Sequence, residues 1–434
     1  MATTYLSRTS GTPTDSKKTT LSVWLKRSGL GTGTFFGGGA DSNNMTFINF
    51  NPNGKIFLQS SSSSSNTLVF VTTQVFRDTS AWYHIVVAID TTQGTASNRV
   101  KLYVNGVQVT AFDTETQPSQ NLELEWNKSG KTLEIGKYLF QSTYSLYDGS
   151  MSYVSFVDGT QELPTVFGET DSTTGEWKIK TDITPSVAWG NNGFLILKNG
   201  NSLTDESSNS NNFTLGGGTL TETKDCPDNV FCVLNDLDTT RVLSNGNTTY
   251  AGDASGTVVK GTLGMLSGKY YAECKILSAA QNMIGVLSIA QAPTTVFVGA
   301  SAVGWGLFGD GTLYNNSSAT SNFSNSFSDN DIMGIALDMD NNKLYFSKNG
   351  VWQNSGDPTS GATGTGAVSI TSGLTMTFSG GRDSASDTAD FNFGNGTFGT
   401  TAIASAGTNA SNNGVFEYDV PTGYTALSTK GLNL

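Results

Sequence analysis

The segment 331–350, DIMGIALDMDNNKLYFSKNG, constrains the fold more than any other stretch of this chain. Met333, Ile335 and Leu337 share one face of a period-two pattern, and Gly334 and Ala336 occupy the other. Leu344 and Phe346 then alternate with Tyr345 and Ser347. Asp340-Asn341-Asn342 supplies the turn between the two runs, because short carboxylate and amide side chains bond nearby backbone and tolerate positive φ. Asn349-Gly350 suits a type I′ turn for the same reason. The spacing therefore predicts two antiparallel strands, with a second hairpin beginning at Asn349.

An upstream echo repeats the pattern. WYHIVVAID (82–90) ends on Asp and is followed after a loop by RVKLYVNGVQV (99–109), which turns at Asn105-Gly106. Val100, Leu102 and Val104 form one face, and Lys101 and Tyr103 the other. At 434 residues the chain is long for one sandwich, since single cores rarely exceed about 250–300 residues. Two β-sandwiches are the simplest expectation. Only 14% of residues are charged, against a usual value of about 25%, while 50 Gly and abundant Ser, Thr and Asn fill turns and strand faces. Runs such as 37–39, 60–65 and 216–218 would break a helix.

Charge excludes one class of partner. A formal net charge of −12 offers no clustered Lys and Arg to displace counterions from a phosphate backbone, so no nucleic acid is expected. The longest apolar strands fall far short of the roughly 20 residues needed to cross a bilayer, and no basic-then-apolar leader opens the chain. A soluble protein without a cleaved signal or membrane insertion is expected. Cys226, Cys232 and Cys274 are an odd set with no neighbouring His, and fit free buried thiols better than zinc ligands.

The alternation divides the chain into three parts. Residues 1–160 carry sandwich strands, including TLSVWLK (20–26) and LEIG (133–136). Residues 161–236 loosen into short apolar pieces and predict an irregular connector packed on its neighbours. Residues 237–434 regain the alternation in KYYAECKI (269–276), 283–289, 304–308, 331–352 and 374–378. The fold class expected is all-β: two antiparallel β-sandwiches of jelly-roll type joined by the connector.

At these residues TLSVWLKRS, WYHIVVAID, KLYVNG and LEIG resemble the concanavalin A-like sandwich of laminin G-type domains, over about residues 1–160. GKYYAECKI (268–276), Gly304-Trp305-Gly306, the 331–350 hairpin, Phe391-Asn392-Phe393-Gly394 and Pro421-Thr422-Gly423-Tyr424 resemble a SPRY domain, over about 237–434. SFVDG (155–159) and FGETDSTTGEW (167–177) are similar to the connector between such domains in virion proteins of marine bacteriophages. The resemblance implies a structural protein displayed on the virion as a tail fibre, spike or head fibre. It would be oligomeric, contact other virion proteins and adsorb to host cell-surface polysaccharide. The alternatives are an architectural capsid decoration or tail component with no ligand of its own, and a polysaccharide-degrading enzyme.

Candidate sites follow from those readings. Laminarinase-type enzymes share the concanavalin A-like fold, and LELEW (122–126) places Glu123 and Glu125 on one face of an expected strand. Asn127, Lys128 and Ser129 stand where the last acid of that active-site run should fall, so a solvated strand face and no enzymatic activity are expected. The single histidine, His84, heads an apolar strand with no nucleophile motif in the chain, which fits a structural role. Asp338, Asp340 and Asn342 mimic the start of an EF-hand loop, but Lys343 replaces its Gly and Asn349 its bidentate Glu. No cofactor is expected; the laminin G resemblance admits one structural Ca2+, with Asp41, Asp90 and Asp113 as candidate ligands. Sugars offer apolar C–H faces and rings of hydroxyls, so exposed aromatics beside Asn, Asp and Gly would bind them. Phe35, Phe36, Tyr144, Tyr147, Tyr314 and Trp352 are the candidates, and each also fits a core or interface position.

Overall fold

A computed structural model of the chain describes residues 3–137, 146–252, 257–279, 281–292, 297–382 and 386–433. The chain folds as two compact units that divide between residues 222 and 223. Both are built from sheets that are antiparallel apart from one short parallel pairing, Lys269–Ser278 with Thr425–Ala426 in the second unit.

In the first unit, an eight-stranded sheet runs in the order Phe112–Thr116, Ser65–Val75, Lys55–Ser62, Asn44–Phe50, Gly33–Asp41, Thr132–Ile135, Tyr5–Thr9 and Thr214–Gly217. A six-stranded sheet faces it in the order Phe194–Ile196, Gly149–Asp158, Lys18–Arg27, Trp82–Asp90, Val100–Val104 and Val107–Gln108. Leu21, Val23, Leu25, Ile85, Val87 and Ile89 of the smaller sheet meet Phe36, Ile48, Leu58 and Phe70 of the larger in one core. Each such side chain contributes about 1.5–3 kcal/mol on burial. The strand Trp82–Asp90 is apolar on both faces because both are covered. Its outer residues Val86 and Ala88 join Tyr103, Val157 and Leu195 beneath Phe167, Ile183, Val187 and Trp189.

That cover comes from the segment expected as a connector. Residues up to 222 belong to the first unit, where Phe194–Ile196 and Thr214–Gly217 each extend a sheet and the hairpin Gly168–Thr170/Trp177–Ile179 lies over the outer face. Residues from 223 belong to the second unit, where Phe231 pairs with Ser428 and Leu234 with Gly261.

The second unit has a sheet whose main path is Leu243–Ser244, Thr249–Tyr250, Thr388–Asn392, Lys269–Ser278, Ile332–Asp338, Lys343–Lys348 and Val351–Trp352. The opposing sheet runs Val259–Lys260, Met376–Gly380, Met283–Ser288, Gly304–Phe308, Leu313–Asn315 and Ser318–Thr320. Met333, Ile335, Leu337, Leu344 and Phe346 point into the core between them, on the face the alternation assigns. Asn349 and Gly350 take φ of 47° and 78°, and Lys348 pairs with Val351 across them. The outer residues Tyr271, Ala336 and Tyr345 are covered by Phe416, Val420, Tyr424 and Ala426. Glu273, fully buried on that same face, fixes the cover by accepting the N–H groups of Glu417 and Tyr418, each at 2.8 Å.

Cys226, Cys232 and Cys274 are free thiols, the last two buried. Among the described residues no helix is long and apolar enough to cross a membrane.

Candidate functional site: an aromatic cleft in the second unit

Three loops at one end of the second unit enclose an open cleft of about 610 Å³. They join Lys269–Ser278 to Met283–Ser288, join Gly304–Phe308 to Leu313–Asn315, and lead into Ile332–Asp338. Gln281, Phe308, Asp310, Phe327 and Asp329 are among its lining residues. Backbone bonds tie the loops together: Gly309 N–H donates to the Asn282 carbonyl at 3.1 Å, and Phe327 N–H to the Gly309 carbonyl at 2.9 Å. The Asp329 carboxylate accepts the Ala279 N–H at 2.7 Å, and Asp310 accepts the Thr312 N–H at 2.8 Å. Gly311 is required in the tight turn: its φ is +89°, and a Cβ there would lie 2.0 Å from the Ser324 carbonyl oxygen.

Phe308 continues the cleft into an aromatic ledge. Tyr314 packs edge-on to Phe308 at 6.5 Å and to Phe297 at 5.8 Å, while the Arg382 guanidinium lies 4.7 Å from the Phe308 ring centre. Phe297, Phe308 and Tyr314 are half-buried, whereas Gln281, Asp310 and Asp329 are exposed. Half-buried rings beside exposed carboxylates and an amide can receive a sugar's C–H face and hydrogen-bond its hydroxyls.

Of the described aromatics named from the sequence, Tyr314 alone touches a lining residue of this cleft, Phe308, without lining it itself. Phe35 and Phe36 are not a platform: each is 1% exposed, and they pack on Phe50 and on Trp126 and Phe156 within the first core. Tyr147 is buried and donates its hydroxyl to the Lys26 carbonyl at 2.8 Å. Trp352 is half-buried against Tyr271 and Tyr345, and Tyr144 lies outside the described residues. Phe308, Phe327, Asp310, Asp329 and Gln281 were not anticipated, although LFGDGTLY (307–314) carries the signal of two aromatics flanking an Asp-Gly turn.

The three aspartates do not fit a calcium site. Asp41 accepts from the N–H groups of Asn43 and Asn44 and the Asn44 amide, and these bonds, led by the Asn43 N–H, hold its carboxyl below the usual range. Asp90 closes a turn at the end of the smaller sheet; burial would raise its carboxyl, but bonds from Thr92 and Gln93 outweigh that and lower it. Asp113 pairs with Lys55 on the edge of the larger sheet, and that bond lowers its carboxyl. Among the described residues no group of three or more His, Cys, Asp or Glu side chains could hold a metal ion.

LELEW is not a strand with paired acids. Its end forms a 3-10 turn at Glu125–Asn127, because only five residues alternate between two loops. Glu123 is exposed and accepts from the Ser16 hydroxyl at 3.0 Å, whereas Glu125 is buried and paired with Lys128 at 2.5 Å. His84 is fully buried; its Nδ1 accepts the Trp177 indole N–H at 2.9 Å, so its Nε2–H donates to the Ser22 hydroxyl at 2.8 Å. Burial pushes this imidazole down to about 3.

Comparison with known families agrees with these architectures. Residues 2–154 match the Laminin_G_3 family, described as the concanavalin A-like lectin/glucanases superfamily, and residues 269–394 match the SPRY domain family. Similar solved structures include the SPRY domain of human HERC1, at 16% identity, covering 36% of this chain and 96% of that one with a TM-score of 0.30. The TRIM65 PSpry domain is 13% identical, with coverages of 37% and 88% and a TM-score of 0.31. The heptameric SAP-like pentraxin from Limulus polyphemus is 18% identical, with coverages of 37% and 71% and a TM-score of 0.29. No curated protein matches the chain. The chain carries a laminin G-type, concanavalin A-like domain followed by a SPRY domain.

Proposed function

We propose that this chain is a non-enzymatic structural protein of a bacteriophage particle, part of a tail fibre, spike or head fibre, that adsorbs to host-surface polysaccharide. The observation that carries this reading is the Phe308–Tyr314 ledge beside Asp310, Asp329 and Gln281. The family of the first domain, described as lectins and glucanases, agrees with a carbohydrate ligand. Assignment to a virion rests on the similarity of SFVDG and FGETDSTTGEW to connectors in phage particle proteins. Within a particle the chain is a homo-oligomer held by other virion proteins. Binding rather than cleavage is favoured because Glu125 is buried against Lys128 while Glu123 points to solvent, so the two do not form an acid–nucleophile pair.

The test has two parts. Antibodies against the chain should decorate intact particles, and purified chain should bind the bacteria that those particles infect. Decoration at fixed symmetry without cell binding favours the architectural alternative. Release of reducing ends from the polysaccharide, abolished by Glu125→Gln, would replace adsorption with hydrolysis.

A further inference from the structure

The hairpin at 168–179 is fastened to the first unit through the one histidine of the chain. His84 touches two indoles: it is stacked on Trp24 at 4.6 Å and 10°, and meets Trp177 edge to edge, nearly coplanar at 17° and 6.0 Å between ring centres. The Trp177 ring is seated between two glycines: a Cβ on Gly106 would lie 2.5 Å from it, and one on Gly168 2.6 Å. Its N–H points at Nδ1, so that nitrogen must remain an acceptor while the hairpin is down.

We propose that this hairpin is an acid-released cover: protonation of His84 sets two N–H donors against each other and lifts Trp177 from the outer face of the six-stranded sheet. Among the described residues no carboxylate pairs with His84 in the closed form. The titratable groups on the elements around His84 are Lys18, Lys26 and Arg27 on Lys18–Arg27, Tyr83 and Asp90 on its own strand, Lys101 and Tyr103 on Val100–Val104, and Glu169, Asp171, Glu176 and Lys178 on the hairpin. Lys178 pairs with Asp171 and Glu169, and burial alone governs the imidazole. Opening returns His84 to water, where it takes up a proton near pH 6.5.

The sign follows from linkage. The closed form holds the imidazole neutral, down to about 3, so its stability relative to the open form is full above pH 6.5 and falls as the pH drops. The open population should rise about 30-fold at pH 5 and about 300-fold at pH 4, relative to pH 8. Breaking the Trp177 bond frees the hairpin first, since it is joined to the smaller sheet there through one indole rather than a strand ladder.

Hydrogen exchange on the full chain, corrected for intrinsic rates, tests this at pH 8 and pH 5. The expected result is a rise of about 30-fold in opening over 168–179, absent in His84→Gln, with Asn44–Phe50 and Lys55–Ser62 unchanged. No rise, an equal rise in His84→Gln, or an equal rise in those core strands would overturn the proposal. NMR titration of the wild-type imidazole needs no variant: a neutral Nε2–H ring down to pH 4 supports the mechanism, and titration near pH 6.5 in the folded protein overturns it.

Discussion

Replacing Arg241 with Met should show how firmly the rim of the cleft is anchored. The Arg241 guanidinium is buried and pairs with Asp387 at 2.9 Å, both side chains being 0% exposed. It also donates to the Thr257 carbonyl at 2.5 Å, the Ala251 carbonyl at 3.2 Å and the Arg382 carbonyl. Arg382 is the residue whose side chain lies over Phe308, so the same network positions the ledge. Methionine fills much of the volume but leaves the Asp387 carboxylate buried without its cation. Losing one partner of such a pair costs about 3–5 kcal/mol. The carboxyl can escape by taking a proton, which from an ordinary pKa near 3.9 costs about 4 kcal/mol at pH 7 but only about 0.5 kcal/mol at pH 4. Burial already pushes the Asp387 carboxyl up in the wild-type protein, while Arg241 opposes that shift. We therefore expect Arg241→Met to destabilise the second unit by about 5 kcal/mol at pH 7 and by about 1.5 kcal/mol at pH 4, about 1 kcal/mol of each being the stranded carbonyls. Calorimetry should show this as a fall of roughly 10 °C in one of two transitions at pH 7. A loss under about 1 kcal/mol at pH 7, or a loss of the same size at both pH values, would refute the reasoning.

Glu273 provides a second pH test. Burial pushes its carboxyl up to about 7 despite the N–H donors of Glu417 and Tyr418, so its contribution to stability is full below about pH 4.5 and is lost as the pH rises through 7. Urea titrations should find Glu273→Gln less costly, relative to wild type, by about 2.5 kcal/mol at pH 8 than at pH 5. In the first unit, Asp158 accepts from the N–H groups of Thr14, Asp15 and Asn192 and from the Asn127 amide. Asp158→Ala strands these donors and should lower the unfolding free energy of that unit by on the order of 4 kcal/mol in denaturant melts. Phe308→Ser with Tyr314→Ser removes two half-buried rings, each contributing about 1 kcal/mol, and should lower the second unit's thermal transition by roughly 4–8 °C while leaving it folded at about 25 °C and weakening cell binding tenfold or more.

The fold was more legible than the site. The 331–350 hairpin could be assigned residue by residue because each of its strands alternates for at least six residues and its turns carry Asp, Asn and Gly. Phe194–Ile196 and Thr214–Gly217 were not legible as strands: three apolar residues and a Gly-rich tetrad hold no alternation, and tertiary pairing alone makes them strands. Phe35 and Phe36 looked like loop aromatics because glycines flank them. Those glycines lie in a central strand, where a Cβ on Gly38 would come within 2.7 Å of Leu133, and a register shift turns both rings into the core. The cleft escaped sequence reading because it is assembled from three separate loops between residues 279 and 329, which only the β topology brings together.

Calorimetric titration of the purified chain with surface polysaccharide from the bacteria to which the particles adsorb tests the central claim most directly. Saturable binding, weakened tenfold or more in the folded Phe308→Ser/Tyr314→Ser variant, is the predicted result. Undiminished binding by that variant, or no saturable binding by the wild-type chain, would contradict it.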